Sequence, residues 1–180
     1  MSDASDKLLQ QARQARRDHR LEEAERDLVE AVAISRAARL PGELARALTA
    51  LGQIERDLHR GDTALQHYEE AVTIYRAEGD ALRLAHTVRH VGDIHREAGR
   101  SELAEPCYRE ALEIYRGHAG TPPLDLANAI RGLAILKSDA GDADAASTLW
   151  EEARNLYAAL NVEAGVTESS RRLALLARRG

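Results

Sequence analysis

The sequence predicts an all-α protein, an array of four helical hairpins followed by a ninth helix, and three observations carry that prediction. Alanine, leucine, glutamate and arginine dominate a chain with no phenylalanine and only 3% aromatic residues, a composition suited to helices that pack through small side chains. The phrase YEEAVTIYR at Tyr68–Arg76 returns as YREALEIYR at Tyr108–Arg116 with six of nine residues unchanged. Weaker copies, LVEAVAISR and WEEARNLYA, start at Leu28 and Trp150. A period of this size marks stacked supersecondary units. Finally, small residues recur in matched triplets: Ala12, Ala24, Ala31; Gly52, Ala64, Ala71; Gly92, Ala104, Ala111; and Ala134, Ala146, Ala153. Small side chains at facing positions let two helices approach closely, as a hairpin requires.

Taken in order, the first helix is expected near residues 4–19, where Lys7, Arg13, Arg16 and Arg17 make a polar opening around Ala12. The second, near 22–38, brings Ala24 and Ala31 against it. Leu40-Pro41-Gly42 separates that pair from helices near 42–59 and 62–78, and Gly61-Asp62 divides these two, with Asp62 offered as a cap. Gly79-Asp80 leads to helices near 81–98 and 101–117, with Ser101 as the expected cap between them. Pro106 follows so soon after that cap that a mild kink, not a break, is expected. The segment from Gly117 to Pro123 opens the fourth pair, near 124–140 and 143–160, with Asp142 capping its second member. Helix nine, near 163–179, carries Arg171, Arg172, Arg178 and Arg179 on leucine and alanine, and Ala174 begins a fifth triplet that stops there. The polar first and last helices read as covers for the ends of a solenoid, so the array is expected to be complete.

At 180 residues the chain has room for one domain or one short array. A formal charge of -5 argues against general nucleic-acid binding, which takes a basic excess. The lone Cys107 rules out an intramolecular disulfide. The N-terminus lacks a signal-peptide core, and no run approaches the roughly 18 apolar residues of a membrane span. Cytoplasmic residence is the expectation.

Leu51-Gly52, Ala64, Tyr68 and Ala71, and again Val91-Gly92, Ala104, Tyr108 and Ala111, give the chain its resemblance to the tetratricopeptide repeat family along essentially its whole length. The units fall near 4–40, 41–80, 81–120 and 122–162 of a single domain, 1–180, with 163–179 as capping helix. Departures from the family pattern are clear. Leu48, Val88 or Ile130 stands where an early aromatic is usual, and Glu55, His95 or Lys137 where a later one is. The closing proline is missing, and the 40- to 42-residue period resembles the longer branch seen in kinesin light chains and bacterial peptide-sensing regulators.

The resemblance implies a right-handed superhelix whose first helices line a concave face. Carried over residue by residue, that face takes Arg13, Arg46, Thr49, Gln53, Arg56, His86, Arg89, His90, Asp93, Arg96, Asn128, Arg131, Ile135 and Arg171. Charge supports looking there: the second helices hold the acidic excess, while the first helices are net basic. Arginine recurs at one place in successive units, Arg89, Arg131 and Arg171, and its forked guanidinium suits carboxylates or phosphates. The competing account is equally simple. Arg89 and Asp93 lie four apart and Asp93 and Arg96 three apart, a spacing at which charges pair and solubilise a helix face.

Other chemistries fare worse. The family's carboxylate clamp is not reproduced, since its places hold Leu9 or Thr49, Arg13 or Gln53, Ala50 or His90, and His86 or Asn128. His86 and His90 share a helical face with Asp93 nearby, yet no HExxH or cysteine pair accompanies them, so no metal or other cofactor is expected. Catalytic motifs are absent, and Cys107 reads as structural. The tyrosines and Trp150 sit at packing positions. The expected function is therefore non-enzymatic: an adaptor binding a protein or peptide segment with acidic residues, with Leu9, Ile135 and Leu175 adding apolar contacts. The alternatives are a self-associating structural module and a small bacterial regulator or secretion chaperone.

Overall fold

The computed structural model describes residues 3–178, which form nine α-helices: α1 (Asp3–Arg17), α2 (Leu21–Ala37), α3 (Pro41–Asp57), α4 (Gly61–Glu78), α5 (Ala81–Glu97), α6 (Ser101–Gly117), α7 (Pro123–Asp139), α8 (Ala143–Ala159) and α9 (Glu163–Ala177). Each expected helix is present, its limits shifted by at most two residues. Arg179, assigned to the ninth helix on sequence, lies outside the described residues.

The helices pair as four successive hairpins followed by α9. By contact density the chain divides within α5, one compact unit ending at Thr87 and the other beginning at Val88. In the first, α1 packs on α2, α2 on α3 and α3 on α4. Its core joins Leu9, Leu28, Leu48, Leu51, Ile54 and Tyr75 through a bed of alanines, and the Ser5 and Ser35 hydroxyls meet there at 3.0 Å. In the second, α6 packs on α7, α7 on α8 and α8 on α9. Trp150 anchors its far end against Ala134, Ile135 and Ala146, with its indole N–H donating to Ser138 Oγ at 3.0 Å.

Every member of the four small-residue triplets is buried, whereas Ala174 is exposed on α9. Their close approach makes room for rings. A Cβ at Gly52 would lie 2.9 Å from Tyr68 Cε1, and one at Gly132 or Gly165 only 2.4 Å from Tyr108 Cε1 or Tyr157 Cγ. All five tyrosines and Trp150 are buried, which at about 1.5–3 kcal/mol for a large apolar side chain makes them principal contributors to the core. The departures from the family pattern are also accommodated. Leu48, Val88 and Ile130 fill the core as aliphatics, while Glu55 pairs with Arg60 at 3.3 Å and Lys137 with Glu105 at 2.8 Å.

The turns follow a rule that the sequence conceals. Seven carry one residue in the left-handed region: His19, Arg39, His59, Gly79, Gly99, Gly141 and Asn161, with φ between 55° and 78°. In each, the next residue's N–H reaches back five positions, as Arg20 does to the Ala15 carbonyl at 2.8 Å and Val162 to Tyr157 at 2.9 Å, which satisfies carbonyls the helix end leaves open. The interval is twenty residues as far as Gly99, forty-two to Gly141, and twenty again to Asn161. The two extra residues fall between α6 and α7, where His118 is extended and the Thr121 hydroxyl donates to the Tyr115 carbonyl at 2.7 Å.

Two expected caps need correction. Asp142 does accept from the Ala145 N–H at 3.3 Å, but Asp62 and Ser101 lie inside the first turns of α4 and α6, behind N-caps Arg60 and Arg100. The left-handed residues His59 and Gly99 end the preceding helices early enough for the next to begin sooner. Helix α6 runs on through Pro106. Among the described residues, no helix is long and apolar enough to cross a membrane.

Candidate functional site

The first unit holds an arginine-walled trough built from three helices at helical spacing. Leu9, Ala12, Arg13 and Arg16 come from α1, Arg46, Thr49, Ala50, Gln53 and Ile54 from α3, and Arg83, His86 and Thr87 from α5. Residues three or four apart share one face of a helix, so each helix turns a single stripe into the cavity. Leu28 and Tyr75 complete its floor, and the volume is about 520 Å³. A second cavity of about 510 Å³, lined by Asp6, Leu9, Gln10, Arg13, Arg17 and Arg46, shares Leu9, Arg13 and Arg46 with the first. The two form one depression with Arg13 and Arg46 at its waist.

Among the described residues, no carboxylate lines the larger cavity. Three of its four arginines are steadied by carboxylates outside it. Arg16 Nε meets Asp57 Oδ2 at 2.6 Å and Arg46 Nη2 meets Asp6 Oδ1 at 3.0 Å, while Arg83 pairs with Asp80. Arg13 is exposed and makes no ion pair among the described residues. The Thr49 and Thr87 hydroxyls donate to the carbonyls of Ala45 and Arg83, both at 2.8 Å, and lie 3.4 Å apart. Burial raises the Tyr75 hydroxyl above its ordinary pKa, so the floor presents a neutral phenol.

Arg13, Arg46, Gln53 and His86, named from the sequence, thus come together in one cavity, and Arg56 lies half-buried on α3 outside its lining. The candidates of the second unit are differently placed. Arg89, His90 and Asp93 are buried. Arg89 Nη1 donates to Asp93 Oδ2 at 2.8 Å, and its Nη2 lies 2.9 Å from His90 Nε2. A guanidinium only donates, so Nε2 accepts, which makes His90 the neutral tautomer with its proton on Nδ1. The Tyr108 hydroxyl donates to Asp93 Oδ1 at 2.8 Å and accepts from Arg96 Nε at 3.2 Å. Burial, reinforced by the Asp93 charge, pushes the Tyr108 pKa far above its usual value. The polar groups of this network face one another.

Arg131 grips Glu168 with two of its nitrogens, Nε donating to Oε2 at 2.6 Å and Nη2 to Oε1 at 3.0 Å. Asn128 Oδ1 accepts from the Tyr157 hydroxyl at 2.8 Å, Ile135 is buried, and Arg171 is exposed on α9. Among the described residues, no group of three His, Cys, Asp or Glu side chains could hold a metal ion. Sequence reasoning missed Arg16 and Arg83. The available signal was their three-residue offset from Arg13 and His86, which places each pair on one stripe.

The sequence matches the family model described as tetratricopeptide repeat over residues 3–77 and again over 43–117. No curated protein matches it. Similar solved structures include BtubC (BKLC) from P. vanneervenii, at 23% identity and TM-score 0.78, covering 87% of this chain and 64% of that one. A Rap protein complexed with Competence and Sporulation Factor is similar at 18% identity and TM-score 0.81, over 94% of this chain and 47% of that one. A putative kinesin light chain from Podosopora anserina with nearly identical repeats aligns at 16% identity and TM-score 0.78, over 99% and 88%. The chain thus spans less than two thirds of the first two, and identities this low speak to fold alone.

Proposed function

Since the chain belongs to the tetratricopeptide repeat family, whose repeats typically mediate protein–protein interactions and are generally non-catalytic, we propose that it is an adaptor that binds an acidic segment of a partner protein in the trough of its first unit. The observation that carries this reading is a larger cavity lined, among the described residues, by four arginines and no carboxylate above a partly apolar floor, with Asp6 confined to the adjoining cavity. Guanidinium groups held by outside carboxylates are preorganised, so a ligand's acid meets donors already in place. Exposed charge at the rim adds electrostatic steering of the encounter. The second unit, where Arg89, Asp93, Arg96, Asn128 and Arg131 are each engaged by partners within that unit, serves as scaffold.

Panning a displayed library of unstructured peptides against the full chain tests the reading. Enriched peptides are expected to be acidic, to weaken as salt shortens the Debye length from about 10 Å at 0.1 M to about 3 Å at 1 M, and to lose binding in Arg13→Glu. Selected peptides that carry no acid excess, or that bind the variant equally well, overturn it.

A further inference from the structure

We propose that the recognised element is an aspartate or glutamate next to a bulky aliphatic residue, inside a continuous stretch of the partner chain. This rests on the peptide-binding reading above and specifies what the trough selects.

Charge is the first argument. Of the four guanidinium groups in the larger cavity, Arg16, Arg46 and Arg83 already face Asp57, Asp6 and Asp80, which leaves Arg13 as the one of the four without an ion pair among the described residues; Arg17, which lines only the smaller cavity, donates to the Gln14 amide oxygen. The larger cavity thus has one spare positive charge, which matches one carboxylate. A phosphorylated side chain, at about -1.5 to -2, would draw a second arginine away from its own carboxylate.

Shape supplies the rest. Beside Arg13 the floor is Leu9, Ala12, Leu28, Ala50 and Ile54, a surface for a branched apolar side chain and a poor one for a second charge. Arg13 stands where the two cavities join, with about 520 Å³ on one side and about 510 Å³ on the other. A segment anchored there has room to continue in both directions. A chain end carrying its terminal carboxylate would leave one cavity unfilled.

The peptides enriched by panning decide the matter. An acidic residue adjoining Leu, Ile, Val or Met is expected to be the common element. In a synthetic copy of an enriched peptide, changing that acid to its amide, or the aliphatic residue to alanine, should each weaken binding roughly tenfold or more, by loss of a charge-assisted hydrogen bond or of apolar burial. Arg13→Gln should abolish discrimination between acid and amide while preserving discrimination between leucine and alanine. That split would not arise from a general loss of stability. The inference is overturned if phosphoserine in place of the acid binds more tightly, if truncation to a free carboxylate at that position does, or if acidic peptides are enriched without an aliphatic neighbour. That last outcome leaves the acidic-adaptor reading standing, whereas enrichment of no peptide at all overturns both.

Discussion

Replacing Gly132 with alanine tests the packing of the second unit at one of its tight points. The added Cβ would lie 2.4 Å from Tyr108 Cε1, 2.8 Å from Cζ and 3.0 Å from Cδ1. Carbon atoms settle at about 3.5–4.0 Å, so the ring must retreat by about 1 Å. Little space exists for this, because a Cβ at Gly92 would itself lie only 3.3 Å from the same ring carbon and the hydroxyl is held to Asp93 at 2.8 Å. Overpacking costs about 1–3 kcal/mol, and alanine returns about 1 kcal/mol through helix propensity. A ring that must move by about 1 Å in so little space takes the upper end of that range, so the net loss is about 2 kcal/mol if the ring tilts and keeps its hydrogen bond. It rises to about 4 kcal/mol if that bond to a charged partner breaks, at about 2 kcal/mol more. Urea unfolding followed by fluorescence of Trp150, the chain's one tryptophan, reads this unit directly. Gly117→Ala, where a Cβ meets nothing within 4 Å, is the control and should be neutral or slightly stabilising. Tyr108→Leu should remove most of the penalty of the first substitution. A Gly132→Ala protein as stable as the parent would refute the account.

Two more outcomes follow from the charged pairs of the second unit. Asp93→Asn leaves Arg89 buried without its counter-charge and should cost about 3–5 kcal/mol in the same unfolding assay; joint replacement of both residues by apolar ones should cost clearly less than the two single losses together. Burial pushes the Glu168 carboxyl up most strongly, but its hydrogen bonds to Arg131 together with the charges of Arg131, Arg172 and Arg171 outweigh that and hold its pKa below the usual carboxylate value. A depressed folded pKa means stability that is present above the unfolded value and lost as pH falls through the folded one. In Arg131→Gln burial should prevail, carrying the Glu168 titration above the ordinary carboxylate range and reversing its contribution; an NMR carboxyl titration that stays unchanged would contradict this.

Much of the architecture was legible because its determinants are steric and local. Only small residues fit where two helices touch, so the triplets built on Gly52 and Gly92 announce the hairpins. Turn placement was harder, since the left-handed position is filled by His19, Arg39, His59 or Asn161 as readily as by glycine; histidine and asparagine are enriched there among non-glycine residues yet mostly adopt other conformations, and nothing in an arginine's identity signals that role. That is why the sequence offers Asp62 and Ser101 as caps, two residues and one residue beyond the actual N-caps Arg60 and Arg100. At the site, Arg13, Arg46, Gln53 and His86 were legible from the face they share. Depth was not legible. Helical spacing puts Arg89 and His90 toward the same side of α5 as their neighbours, but a carboxylate at Asp93 and a hydroxyl from Tyr108, in another helix, draw them inward.

The twenty-residue ruling of the turns bears on how such a chain tolerates change in length. One residue inserted within a helix rotates everything after it by about 100° and would swing its buried alanines out of register with their partners. The two additional residues between α6 and α7 do nothing of the kind, because His118 to Pro122 absorb them before α7 begins. Gains and losses in the gene are therefore admissible at the joints and excluded from the rods. The same joints mark where a hairpin from one copy could be exchanged for another without rephasing the remainder.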